Sequence, residues 1–345
     1  MMLTTSAAIA AAQDWVRAQA AGMPGYCGAY LSGSVLERGM GEVWPADSDV
    51  DVVVVFEEDL PEKIGKIRHR GLLLEITAMR RADFADDEAV LSTHYLAFAL
   101  NGGQVLDDPQ EFLVPLSQRV QAAFWQEAWL LKRAETTAQI ARRHISNMGK
   151  AVLPEEILMS GCFGPSAIAL PILAAAGRNC TVRKRLPKAR NVLQEHGFDA
   201  FSGRLEAVLG CEGLTAEDLR VYMNALDEVY CRAMTTEGVS AEYPFRSDIR
   251  PEAKAVAVDG TREMLLGAHP SDAVFWLAAT FARCMTILRM DDRRSYEEFL
   301  PRMLALMQTL GIADAGAVAS RQNLALRTLE EARRIAQEIA AKTAK

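Results

Sequence analysis

An α/β (α+β) N-terminal domain with a small mixed sheet, followed by an all-α C-terminal domain, is the fold class that this 345-residue sequence predicts. Two observations carry it. Between residues 5 and 115 helical segments mix with short apolar runs rich in β-branched residues. Beyond Pro115 the chain turns to long alanine- and leucine-rich stretches broken by Gly and Pro, with no strand alternation. A chain of this length also exceeds one core of ordinary size, so two domains are expected, 1–115 and 116–345. The boundary is placed at Pro109 to Pro115, where two prolines bracket a short connection.

The elements follow in order. The alanine-rich start lacks a basic opening and carries Asp14 and Arg17, so it reads as an amphipathic first helix and not as a secretory signal. Cys27 to Leu31, Val50 to Phe56 and Leu72 to Ala78 have the composition of strands, and Gln104 to Leu106 forms a shorter one. Helices are expected over about 118–148, 155–176, 187–209, 215–236, 271–290 and 315–343.

Half of the residues are hydrophobic and 24% are charged, the balance of a folded globular protein. The net charge of -7 argues against a dedicated nucleic-acid binder, which needs a surplus of Lys and Arg for phosphate contacts. The longest strongly apolar run, Val52 to Phe56, falls far short of the roughly 20 residues that cross a bilayer, so no transmembrane helix and no membrane partner are expected. Six cysteines are scattered without a C-x-x-C pair or a histidine at zinc-site spacing, which reads as reduced thiols in a cytoplasmic protein.

The chemistry concentrates in Leu31-Ser-Gly-Ser and in Ser48-Asp-Val-Asp-Val-Val-Val-Val-Phe56. Side chains alternate along a strand, so Asp49 and Asp51 share a face while Val50 and Val52 point to the core. Magnesium takes oxygen ligands, usually one or two carboxylates completed by water and phosphate, and a pair at this spacing can bridge two ions. Upstream, Gly33 ends a strand at a turn where a residue without a side chain admits a phosphate, and Ser34 adds a hydroxyl donor. Downstream, Glu75 is a lone acid within the apolar run Leu72 to Ala78. A carboxylate there needs a metal, a cation or solvent to offset its desolvation.

This ordered set resembles the polymerase-beta-like nucleotidyltransferase superfamily, and more closely its bacterial branch that includes aminoglycoside nucleotidyltransferases. The matching positions are Leu31-Gly33-Ser34, Asp49-Val50-Asp51-Val52 and Leu74-Glu75-Ile76, with Arg38-Gly39 after the Gly-Ser turn and Gln104 to Pro109 closing the sheet. The resemblance covers about residues 25 to 115. One departure is the spacer of fourteen residues between Ser34 and Asp49, which makes Met40 to Asp47 an insertion near the site.

The resemblance implies a magnesium-dependent enzyme, with two ions, that transfers a nucleoside monophosphate to an acceptor hydroxyl and releases pyrophosphate. ATP is the expected triphosphate and an aminoglycoside-like small molecule the first acceptor. Asp49 and Asp51 would ligate the metal, Glu75 would be a third ligand or the base, and Gly33, Ser34 and Arg38 would hold phosphates. A protein hydroxyl, as in nucleotidyltransferases of toxin–antitoxin systems, is the second acceptor class, and RNA the third. A non-catalytic module that senses nucleoside triphosphate is the rival from another class.

Other polar residues read as structural. Asp107 and Asp108 are adjacent, so in a strand they would face opposite ways, and a turn before Pro109 fits them better. The five histidines lack triad context, and residues such as Trp125, Trp129, Trp276 and Met285 fall at helical core spacing. The segment from Arg178 to Arg190 is rich in cations and free of acids. It reads either as a solvated face or as a triphosphate clamp centred on Lys184 and Arg185. The clamp is attractive because Arg38 is the only cation near the Gly-Ser turn, Lys63 and Lys66 being assigned to a connection after the second strand.

Overall fold

A computed structural model describes residues 3–59 and 64–345. It is mixed α/β, with one five-stranded sheet in the N-terminal region and helices after it. The chain divides into two compact units. The first comprises 1–133 with 174–181 and 340–345, and the second 134–173 with 182–339.

The first unit opens with α1 (Thr5–Ala18), where the Thr4 hydroxyl accepts from the Ala7 N–H and caps the helix. The strands are β1 (Tyr26–Ser32), β2 (Val50–Phe56), β3 (Gly65–His69), β4 (Leu72–Arg80) and β5 (Val105–Asp107), arranged in the order β3-β4-β2-β1-β5. β2 and β4 run parallel, and the other pairs are antiparallel. Four of these strands match sequence expectation within a few residues, but β3 lies in what the sequence suggested was a connection.

Alternation along β2 decides which residues meet which layer. Val50, Val52, Val54 and Phe56 join Leu74 and Ile76 of β4 in a core under α1. Val53 and Val55 face the other way, into a core completed by α2 (Asp87–Ser92), α3 (His94–Asn101) and α4 (Leu113–Ala123). Leu113, Leu116, Val120 and Phe124 belong to that second core. The first compact unit therefore continues through α4, past the Pro109 to Pro115 connection, to Arg133. The buried Arg133 guanidinium donates to the Leu91 carbonyl at 3.1 Å and to the Phe124 carbonyl at 2.5 Å.

Asp108 accepts from the N–H groups of Phe112, Leu113 and Val114 at 3.0, 3.1 and 2.9 Å. Those are the donors that the start of α4 leaves without helical partners, so the acid is a turn and cap residue. Asp107 instead accepts from the Tyr26 hydroxyl at 2.8 Å.

The helical region contains α5 (Glu127–Asn147), α6 (Pro154–Ser166), α7 (Ala169–Ala175), α8 (Arg185–His196), α9 (Ala200–Leu209), α10 (Ala216–Met234), α11 (Gly260–Leu265), α12 (Val274–Asp291), α13 (Arg293–Thr309) and α14 (Ala315–Thr343). The long helix expected over 187–209 is two, because Gly197 ends the first with φ +80°. Helix α13 was missed altogether, since Pro301 sits inside it and reads as a breaker.

Pro154–Ala175 and Pro270–Asp291 are long and apolar enough to cross a membrane, with mean hydropathy 1.8 and 1.3, contrary to the expectation of no such stretch. Some 78% of the most apolar 18 residues of each is buried inside the protein, and a helix that is apolar on all sides is also what a core helix looks like. All six cysteines are free.

Candidate metal centre

Asp49 precedes β2, and Asp51 is its second residue. Parallel pairing sets Asp51 opposite Glu75 of β4. One oxygen from each of Asp49, Asp51 and Glu75 can be chosen so that all three lie within 4.8 Å of one another. Among the described residues this is the one group of three or more His, Cys, Asp or Glu side chains close enough to share an ion. The three acids picked out in the sequence thus meet, and they meet because two strands run parallel in this register.

Gly33 follows β1 with φ +70°, a conformation that disfavours any side chain. A Cβ placed there would lie 1.8 Å from Oδ2 of Asp51, so the turn is packed directly against that carboxylate. Ser34 is in the single 3-10 turn that follows, Gly33–Glu37. Arg38, just beyond, stacks on Trp44 at 5.6 Å and pairs with Glu42 at 3.8 Å.

The segment Met40 to Asp47 is tied to the first helix. The Thr5 N–H donates to Glu42 O at 2.9 Å, the Ser6 N–H to Met40 O at 3.0 Å, and the Trp44 N–H to Leu3 O at 2.7 Å. Trp44 is buried in the α1-side core and donates through Nε1 to Ser48 O at 3.3 Å, one residue before Asp49. The long spacer is therefore an anchored loop.

A fourth member of the site was not foreseen. Antiparallel pairing sets Lys66 of β3 opposite Glu75, and its ammonium donates to Glu75 Oε2 at 2.6 Å and also to Asp49 Oδ2. Its side chain is only 8% exposed, against 19% for Asp49 and 28% for Glu75. Lys63, read together with Lys66 from the sequence, lies outside the described residues.

The charges sort themselves accordingly. Burial raises the Asp49 carboxyl, but the charge and hydrogen bond of Lys66 outweigh it and hold the group below the usual aspartate range. Asp51 is pushed well above that range, first by burial and then by the charges of Asp49 and Glu75. Burial would lower the Lys66 ammonium, yet the two carboxylates raise it overall. One cation thus serves three acids, and Asp51 is the one it satisfies least.

No protein-family model, no curated protein and no solved structure matches the chain significantly.

The basic segment has internal work. Lys184 directly precedes α8. Arg185 is buried, donates to the Ser166 hydroxyl at 3.1 Å, and lies over the Phe163 and Phe275 rings at 5.9 and 5.4 Å. Arg183 donates to Val256 O at 3.0 Å, while Arg190 pairs with Glu206 at 3.0 Å and Asp272 at 2.8 Å. These contacts hold three cations within the helical unit, and a triphosphate clamp draws no support from them.

Proposed function

We propose that this chain is a magnesium-dependent nucleotidyltransferase that moves a nucleoside monophosphate, AMP from ATP first, to an acceptor hydroxyl with release of pyrophosphate. The observation that carries the reading is the meeting of the Asp51 and Glu75 oxygens, on adjacent parallel strands, with that of Asp49 just before β2, the Gly33 turn being pressed against Asp51.

The donor set fits magnesium, because it is entirely carboxylate oxygen and the site presents no sulfur or imidazole. Asp49 and Asp51 would hold magnesium, which when bound there would neutralise charge on the transferring phosphoryl group. Glu75 completes the ligand set or accepts the proton of the acceptor hydroxyl. Gly33 and Ser34 offer backbone and hydroxyl donors to the phosphates, and Arg38 follows the same turn. Fold and motif set this chemistry and leave the acceptor open.

A small hydroxylated molecule of the aminoglycoside class is the first acceptor to test, and a protein hydroxyl the second. Pyrophosphate release from ATP and magnesium is measured with a panel of both, using Asp49→Asn as the blank. Acceptor-dependent release that the blank lacks supports the reading. If no acceptor elicits release with any of the four nucleoside triphosphates, a non-catalytic nucleotide sensor becomes the better description.

A further inference from the structure

Lys66 holds the oxygens that the proposed metal would need. Its ammonium donates to Asp49 Oδ2 and to Glu75 Oε2, two of the three acids of the cluster. An ammonium carries three donors and no acceptor, so it cannot ligate a metal; it can only compete with one for carboxylate oxygens. A divalent cation and an ammonium among the same half-buried oxygens repel strongly, since solvent screens them poorly. Retreat of the lysine is structurally inexpensive. Among the described residues β3 lies at the edge of the sheet and pairs only with β4, and the neighbouring Ile67 faces the core under α1, so the Lys66 side chain can rotate without breaking the strand.

We propose that Lys66 is a resident counter-ion that keeps Asp49 and Glu75 together, and that a divalent cation must displace it to enter the site. The inference rests on the metal reading above and adds an exchange of one cation for another. The exchange makes and breaks no covalent bond; it trades the ammonium's two hydrogen bonds for metal–carboxylate coordination, and the ammonium keeps its protons and moves toward solvent.

The test follows the lysine itself. The full-length protein is treated with an N-hydroxysuccinimide ester of acetate, with and without manganese and in the absence of nucleotide. Acetylation of Lys66 is read by mass spectrometry, and manganese binding by loss of the free-ion paramagnetic signal. Slow acetylation of the buried Lys66, through its scarce amine form, should speed up several-fold once manganese is bound, and Lys66→Met should bind manganese about tenfold more tightly. Lys66→Arg, which keeps the charge, should show no such gain. If Lys66→Met does not fold, the wild-type acetylation still decides.

Manganese binding without a rise in Lys66 acetylation overturns the inference and leaves the metal reading intact. No manganese binding by the wild type removes both. A manganese-dependent lysine response in a protein that transfers no nucleotide sustains the inference and overturns the transferase reading.

Discussion

Lys66 stands opposite Glu75 across the β3–β4 pair, and its ammonium spans from that carboxylate, at 2.6 Å, to Asp49 beside the next strand. Three strands thereby contribute to one charge cluster, and the acid with the least share of the lysine is Asp51. The two aspartates are consequently not equivalent, although they sit two residues apart.

The first prediction uses that difference. Asp49→Asn and Asp51→Asn should each reduce nucleotidyl transfer by about a hundredfold or more, since each removes a charge that the reaction needs in place. Their stabilities should move in opposite directions without added metal. The raised Asp51 carboxyl contributes stability that is present below the ordinary aspartate range and lost as pH rises through its folded value. At neutral pH the raised carboxyl costs the fold stability in either protonation state, and Asp51→Asn should gain on the order of 1 kcal/mol. The lowered Asp49 carboxyl contributes stability above the ordinary range, so Asp49→Asn should lose a similar amount at neutral pH, about 1 kcal/mol. Urea midpoints at pH 7 and pH 4 check both signs. Equal shifts for the two variants would remove the unequal role of Lys66.

Gly33→Ala should be more harmful than its size suggests. The new methyl would fall 1.8 Å from Asp51 Oδ2 at a backbone φ of +70°. The carboxylate must move, and stability should drop by about 1–3 kcal/mol with loss of turnover. Gly71→Ala is the control, because its φ is +80° but nothing lies within 4 Å of the added atom. That variant should lose only about 1 kcal/mol and keep its activity. Turnover of Gly33→Ala at the Gly71→Ala level would mean that the turn does not shape the site.

Much of the site was legible because its signals are local. The alternation Asp49-Val50-Asp51-Val52 announces a strand edge with two acids on one face, and Glu75 is conspicuous within Leu72 to Ala78. Lys66 was hidden for the converse reason. Its strand reads Gly-Lys-Ile-Arg-His, with one aliphatic residue among polar ones, which is how short edge strands often look, and only pairing with β4 reveals which carboxylate it meets. Arg185 was hidden by its neighbours in sequence. A run of cations reads as solvated, whereas Phe163 and Phe275, distant in the chain, cover it. The first compact unit's extent was hidden likewise, since α4 shows its allegiance through packing on α2 and α3 and through the core it shares with β1 and β2.

The third prediction concerns how β3 is held. His69 at its end shares a 2.7 Å hydrogen bond with Asp14 of α1, and Arg70 donates to the same carboxylate at 2.5 Å. The hydrogen bond with His69 is the largest influence on the Asp14 carboxyl; burial opposes it, and the Arg70 charge adds to it, so the group stays below its usual range. Its contribution to stability is therefore present above the ordinary aspartate range and lost as pH falls through it. Asp14→Asn should lower the urea midpoint modestly at pH 7, and the gap from wild type should narrow toward pH 3. It should also speed acetylation of Lys66, because the strand that carries the lysine is less firmly tied. A gap that widens in acid would show that another group anchors β3.

The last prediction separates packing from ligand binding at Arg185. The guanidinium is buried, faces two aromatic rings and donates to Ser166, so its removal leaves a hole, an unfilled hydrogen bond and two uncovered ring faces. Arg185→Ala should therefore cost roughly 2 kcal/mol or more of unfolding free energy. Arg185→Lys should recover little, because an ammonium lacks the planar group that stacks on the rings. The control is Arg220→Ala, whose side chain is 64% exposed and pairs with Glu217 of its own helix, itself 75% exposed, and its effect should stay within about 0.5 kcal/mol. On the packing account, a preparation of Arg185→Ala kept folded at low temperature binds ATP with an unchanged KM. A KM raised severalfold at an unchanged unfolding midpoint would reverse the assignment, returning Arg185, and Lys184 beside it, to the triphosphate.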